Sequence, residues 1–484
     1  MKKANRYVVM SNLIWRLGER MGAKGVEFVV ALVLARLLEP AVFGNVALVT
    51  ILIRIIQVFV DSGLGNALIQ KKDADDLDFS TVFYFNILFC IVLYGLLFIF
   101  SPWIAEFYNA PELTPVIRAL GITILISGVK NVQQAYVSRH MLFRKFFFAT
   151  LGGTIGAAVL GIIMALRGYG IWALVAQQTF NVAMDTVILW ITVKWRPKWC
   201  FSFSRLKQLY SYGWKLLASQ LIDTFYSEIR SLIIGKIYSP SDLAYYNRAK
   251  QFPLFITSNV NTSINSVLFP AMSGEQDNKN RVRTMTRRAI TVSTFVMAPL
   301  LFGLAACGEP IVRIILTEKW LPLLPYLTIF CISYVFLPIH SANLNAIKAM
   351  GRSDLFLKLE IIKKTIGLIA LLITMRISVM AMAYSLLVTN FLNQLINTWP
   401  NRKLLGYKYR DQIMDIMPNI LLAAFMAFCV YLLERLGLSQ IATLTCQVLL
   451  GAILYIGCAR ITKNESYFYL LDIIKPHVKR FLKH

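Results

Sequence analysis

Charged and amide side chains recur at helical spacing inside stretches that are otherwise apolar. Arg16, Arg20, Lys24 and Glu27 fall on one helical stripe, with Glu19 beside it. Arg54, Gln57 and Asp61 form a second stripe. Lys215, Ser219, Asp223, Tyr226 and Arg230 form a third, with Glu228 offset. Guanidinium and ammonium groups make strong charge-assisted bonds to phosphate oxygens, and Arg can engage two at once. The six cations Arg16, Arg20, Lys24, Arg54, Lys215 and Arg230 are therefore candidates to hold a pyrophosphate. Amides and hydroxyls offer the donors and acceptors that sugar hydroxyls need. Gln57, Gln178, Asn181, Asn259, Thr262, Asn265, Asn390, Asn393 and Asn397 are the candidate glycan contacts. Glu19, Glu27, Asp61, Asp185 and Asp223 are candidates to carry a coupling proton or sodium ion.

A structural reading competes with this one. Arg16 lies near a helix end and can snorkel to the interface, and Arg54 with Asp61, or Lys215 with Asp223, can pair to glue helices together. The recurrence of stripes in the first and seventh spans favours a cavity lining. Ten basic against seven acidic residues inside the spans also tilt such a cavity toward anions rather than cationic drugs.

Other chemistries lack their residues. The seven cysteines are scattered without a CxxC pair, and the four histidines have no metal-ligand spacing. Gly63-Leu-Gly65 has no strand–helix unit around it, so it is no nucleotide fingerprint. No Ser-His-Asp set or paired carboxylates stand out, so the chain reads as a transporter rather than an enzyme, with no resident cofactor or metal. The +25 formal charge sits mainly in short loops, where it suits anionic lipid headgroups rather than nucleic acid.

The elements that carry these stripes are membrane helices. Of 484 residues, 57% are hydrophobic and 15% charged, with a mean hydropathy of +0.60. The apolar stretches number about fourteen, at roughly 11–35, 42–68, 80–101, 116–138, 147–166, 171–193, 210–234, 251–273, 288–308, 321–347, 355–373, 377–398, 414–433 and 439–459. The tenth carries Pro322, Pro325 and Pro338 and is expected to break. With the N-terminus inside, 31 Lys and Arg face the cytoplasm and nine face outward, which places both termini in the cytoplasm.

The halves also echo each other. Ala-Arg-Leu-Leu-Glu-Pro at 35–40 answers Gly-Lys-Ile-Tyr-Ser-Pro at 235–240, at an offset of 200 residues. The expectation is an all-α membrane protein of two parallel six-helix repeats plus two C-terminal helices, divided as 1–200, 201–400 and 401–484 and suited to alternating access. Glycines 152, 153, 156 and 161 are read as close helix-packing positions.

Several stretches resemble the bacterial polysaccharide transporter family, especially its colanic-acid and teichuronic-acid exporters. They are Leu34–Pro40 with Phe43-Gly44, Asp61–Lys72, Gly235 with Pro240, Tyr246-Asn-Arg-Ala249, Val267–Met272 and Thr317-Glu-Lys-Trp320. The resemblance covers about residues 5–410, and it places the chain in the superfamily of multidrug extruders and lipid-linked precursor flippases. It implies an inverted-V, two-lobe flippase in the bacterial inner membrane. Such a protein moves an undecaprenyl-pyrophosphate-linked oligosaccharide repeat toward the periplasm, in contact with membrane lipids and alongside polymerase and assembly proteins. The alternatives are a cation-coupled multidrug or small-ion antiporter, and a membrane-embedded polysaccharide polymerase or ligase. The signatures at Asp61–Lys72 and Tyr246–Ala249 are read as architectural.

Overall fold

The computed structural model describes residues 22, 25–61 and 63–481, excepting the side chains of Asp61, Phe143, Arg144, Asn259, Ser263, Asn265, Ser266 and those of 473–474 and 476–481. The candidates Arg16, Glu19, Arg20 and Lys24 thus lie outside the described residues, as do the side chains of Asp61, Asn259 and Asn265.

Among the described residues every regular element is a helix, and each apolar stretch of the sequence coincides with at least one. Helix α1 covers 25–37. Two helices share the second stretch, α2 (Pro40–Asp61) and α3 (Leu64–Gln70). There follow α4 (Asp76–Phe107), α5 (Thr114–Arg139), α6 (Phe143–Leu166), α7 (Ile171–Thr192) and α8 (Phe203–Ile237). Then come α9 (Pro240–Ser273), α10 (Lys279–Ala306), α11 (Gly308–Ile315), α12 (Leu324–Tyr334) and α13 (Leu337–Ala349). The chain ends with α14 (Ser353–Thr374), α15 (Val379–Leu404), α16 (Tyr409–Leu432), α17 (Gln440–Ile461) and α18 (Glu465–Phe481).

The tenth stretch breaks between α12 and α13, and Pro325 and Pro338 each open a helix, where a missing N–H costs nothing. Nine of the described helical segments are long and apolar enough to cross a membrane; α7, α8, α9 and α14 are also at least 22 residues long but more polar. Large apolar side chains point outward, among them Leu88, Ile191, Leu421 and Ile453, as a hydrocarbon solvent allows. The chain is an all-α, multi-pass membrane protein.

Contacts divide it into two compact units, Met1–Ala244 and Tyr245–His484. By packing, α8 belongs to the first unit, whereas the sequence expectation placed it at the start of a second repeat. The core of that unit joins α3, α4, α5, α7 and the start of α8 through Leu68, Phe79, Val82, Val132, Leu189, Trp195 and Leu209. Glycine makes the α6–α7 seam: a Cβ on Gly153 would sit 3.1 Å from the Asn181 carbonyl oxygen, and one on Gly156 2.9 Å from the Phe180 ring.

The Asp61–Lys72 signature ends in an ion-pair cluster. Fully buried Asp78 accepts from Lys71 Nζ at 2.7 Å, and Arg139 donates to the carbonyls of Leu68, Lys71 and Lys72, closing the C-terminus of α3. Asp75 caps α4, accepting from Asp78 N at 2.9 Å, while Asp78 accepts in return from Asp75 N. These backbone bonds, with Arg205 and Lys71 nearby, hold the Asp75 carboxyl below its usual range against the opposing cost of burial.

In the second unit α10, α13, α15 and α16 pack around Val282, Ile290, Ile339, Ala342, Ala346 and Ile416. A buried amide network crosses this core. Asn343 donates to Gln412 Oε1 at 2.9 Å, Asn401 donates to Asn343 Oδ1 at 2.7 Å, and Gln412 Nε2 donates back to Asn343 Oδ1 at 3.1 Å. Two signatures meet here as well. Tyr245 Oη donates to the Lys319 carbonyl at 3.2 Å, and the Arg248 guanidinium lies 5.5 Å from the Trp320 ring centre.

Candidate functional site

Helix α2 presents polar groups to three neighbours. Toward α7, Thr50 donates to Gln178 Oε1 at 3.1 Å. Toward α5, Gln57 donates to the Ser127 hydroxyl. Toward α8, Arg54 Nη1 pairs with Glu228 Oε1. Lys130 on α5 and Asp185 on α7 form a further ion pair at 3.2 Å, both well covered, and Asp185 Oδ1 is buried without a partner. Low dielectric makes each such pair consequential, because one partner alone would be an uncompensated charge.

Arg54 differs from the other charges of this group. Its side chain is 58% exposed while that of Glu228 is 13% exposed. Among the described residues only Nη1 is engaged, which leaves most of the guanidinium donors without a described partner. Its partner among the described residues is Glu228; the Asp61 side chain, which the sequence offered as a partner, lies outside them. Lys215 is exposed on α8 and makes no ion pair or hydrogen bond among the described residues, so its pairing with Asp223 is not observed. Asp223 is exposed and Arg230 half-buried, and both are engaged by other groups, as is exposed Glu27. Asn181 sits at the Gly153 contact.

Arg54, Gln57, Gln178, Asn181 and Asp185 lie on α2 and α7 of the first unit, each toward a different partner, with Lys215 further along α8. The second-unit candidates lie elsewhere. Thr262 is exposed, with no partner among the described residues, whereas the α15 amides turn into the bundle. Asn390 donates to Ser333 Oγ at 2.6 Å, and the buried Asn397 amide donates to His340 Nδ1 at 3.2 Å. Asn393 Oδ1 is buried and unpartnered. Asn390 and Asn397 are therefore occupied in holding α15 to α12 and α13.

Sequence reasoning noted Glu228 only as offset from its stripe and did not single out Lys130, His340 or the Asn343–Gln412–Asn401 network. The available signal was a lone charge or amide in an apolar run, which does not identify its partner across 174 residues, as for Arg54 and Glu228. Among the described residues no three His, Cys, Asp or Glu side chains gather as metal ligands.

Separate from these polar groups, an apolar groove of about 440 Å³ in the second unit is lined by α9, α10, α11, α16 and α17, including Leu304, Met426, Val430 and Ile456.

A family profile described as a polysaccharide biosynthesis protein matches residues 33–325. The succinoglycan biosynthesis transport protein ExoT of Rhizobium meliloti (strain 1021) is 24% identical, with 98% of this chain and 97% of that protein aligned. The teichuronic acid biosynthesis protein TuaB of Bacillus subtilis (strain 168) is 27% identical over 83% of this chain and 84% of its own. The lipopolysaccharide biosynthesis protein WzxC of Escherichia coli (strain K12) is 23% identical over 81% and 80%. Among solved structures, the lipid II flippase MurJ in an inward closed conformation shares the fold, with a TM-score of 0.72 at 14% identity over 95% of this chain and 99% of that one. An inward-facing multidrug-resistance transporter of the MATE family and MOP superfamily shares it at a TM-score of 0.61 and 15% identity, over 81% and 98%.

Proposed function

The chain belongs to the polysaccharide biosynthesis protein family and is a membrane transporter rather than an enzyme, and from that premise we propose that it moves an undecaprenyl-pyrophosphate-linked oligosaccharide repeat across the bacterial inner membrane. The direction is from the cytoplasmic to the outer leaflet, for surface-polysaccharide assembly. Arg54 is the observation that carries the reading. It is a largely exposed guanidinium in a helix of mean hydropathy 2.1, with one engaged nitrogen. A cation so placed is costly in hydrocarbon unless it meets an anion or water, and a pyrophosphate supplies the anion. Lys215, exposed and without an ion pair among the described residues, adds a second positive charge on α8.

In this mechanism the pyrophosphate engages Arg54 and Lys215, together with Arg16, Arg20, Lys24 and Arg230 of the sequence stripes. Gln57, Gln178 and Asn181 face the glycan. The prenyl chain stays in lipid, and the apolar groove along α10, α16 and α17 suits such a chain. Two parallel six-helix repeats, at 1–200 and 201–400, rock in alternating access. The segment 401–484 adds two helices, for fourteen crossings with both termini cytoplasmic. Asp185, with one unpartnered oxygen, is the best-placed candidate for ion coupling.

The test is deletion of the gene followed by leaflet-resolved analysis of lipid-linked sugars. Accumulation of a complete repeat on the cytoplasmic leaflet is the expected result. Unchanged sidedness overturns the proposal.

A further inference from the structure

Glu228 has one ionic partner, Arg54, and no other hydrogen bond among the described residues. Its side chain is 13% exposed, in the middle of a long helix. A carboxylate in such surroundings is tolerable only while a cation neutralises it. The backbones of α2 and α8–α9 are pinned on either side of this pair. A Cβ on Gly44 would lie 1.7 Å from the Pro240 carbonyl oxygen, and one on Gly213 would lie 2.8 Å from the Gly63 carbonyl carbon. Arg54 falls about midway between Gly44 and Gly63 in the sequence, so the pair lies between two close backbone approaches and its strength bears on whether they persist.

We infer that Glu228 is an internal stand-in for the substrate's phosphate, holding Arg54 in the empty transporter and yielding it when the anionic headgroup arrives. The inference rests on the lipid-linked pyrophosphate reading above. The exchange needs no prior dissociation, because the open guanidinium donors can take a phosphate oxygen while Nη1 still holds the carboxylate. Once Arg54 turns to the phosphate, Glu228 is a buried charge without a counter-ion. That penalty favours separation of α8 from α2, which ties headgroup binding to movement through differential stability of the two states. Glu228 is thus a positioning residue whose charge competes with the substrate.

The test uses the full-length protein in lipid nanodiscs, with geranylgeranyl pyrophosphate as probe and geranylgeraniol as the uncharged control. Affinities are measured by calorimetry, with melting curves to verify folding. Glu228→Gln removes the competitor and is expected to tighten the pyrophosphate probe about tenfold, a coupling of ordinary size. Arg54→Gln is expected to weaken it, and the double variant to bind like Arg54→Gln, because the gain passes through Arg54. Geranylgeraniol binding is expected to be the same in all forms. Where Glu228→Gln fails to fold, Glu228→Asp, one methylene too short to hold Arg54 fully, carries the same expectation in smaller degree.

Probe binding by wild type with no tightening in the Glu228 variant overturns the inference and leaves the substrate reading standing. Equal tightening in the presence and absence of Arg54 also overturns it. No probe binding by any form overturns the substrate reading, and the inference with it.

Discussion

At the scale of single residues, the stripes found in the sequence separate by their partners. Among the described residues Arg54 engages one nitrogen and Lys215 makes no pair, whereas Lys130 is committed to Asp185 and Asn397 to His340. Two substitutions measure this difference. Lys215→Ala removes no observed pair, so the melting temperature is expected to stay within a degree or so while transport of lipid-linked sugar falls several-fold at matched abundance. Lys130→Ala strands Asp185 among helices and is expected to cost about 3 kcal/mol of stability, read as lost folded protein. The types of these residues were legible in the sequence, because a charge in an apolar run stands out. Their partners were not. Arg54 meets Glu228 of α8, a partner brought to it by packing that no local spacing could name.

At the scale of elements, the helices were legible because long apolar runs leave the backbone only internal hydrogen bonds. The break before Pro338 followed from proline's missing donor. Helix α18 was not foreseen, since its charged and apolar residues alternate too closely to resemble a span. Glycine positions give a sharp contrast. Gly44→Ala forces a side chain into the Pro240 backbone and is expected to abolish most folded protein. Gly95→Ala in α4 meets nothing within 4 Å and is expected to be neutral or slightly stabilising, by up to about 1 kcal/mol. Size-exclusion yield from detergent distinguishes the two.

The α4 cap makes a pH prediction. The folded Asp75 carboxyl titrates below its ordinary 3.8, so its contribution is present above that value and is lost as pH falls through the depressed one. The melting-temperature difference between wild type and Asp75→Asn is therefore expected to shrink below about pH 4, and a constant difference would count against the capping role.

At the scale of the whole molecule, two signatures that lie far apart in the sequence, Tyr246–Ala249 and Thr317–Trp320, prove to be one contact, in which Arg248 lies against Trp320. The two stretches thus share one packing contact within the second unit. The family profile stops at residue 325, yet the C-terminal helices beyond it are no appendage. Asp415 accepts from Arg287 at 2.9 Å and Tyr455 Oη donates to the Phe295 carbonyl at 2.7 Å, fastening α16 and α17 to α10.

The amide network of Asn343, Asn401 and Gln412 also bears on biogenesis. The first two residues are synthesised before the third, and until α16 emerges from the ribosome Asn343 and Asn401 lack the Gln412 amide. A nascent chain halted ahead of Tyr409 would thus expose this defect to quality-control proteases, while one extended past Leu432 would not. Staged truncations followed by pulse-chase should show a step in half-life between those two points.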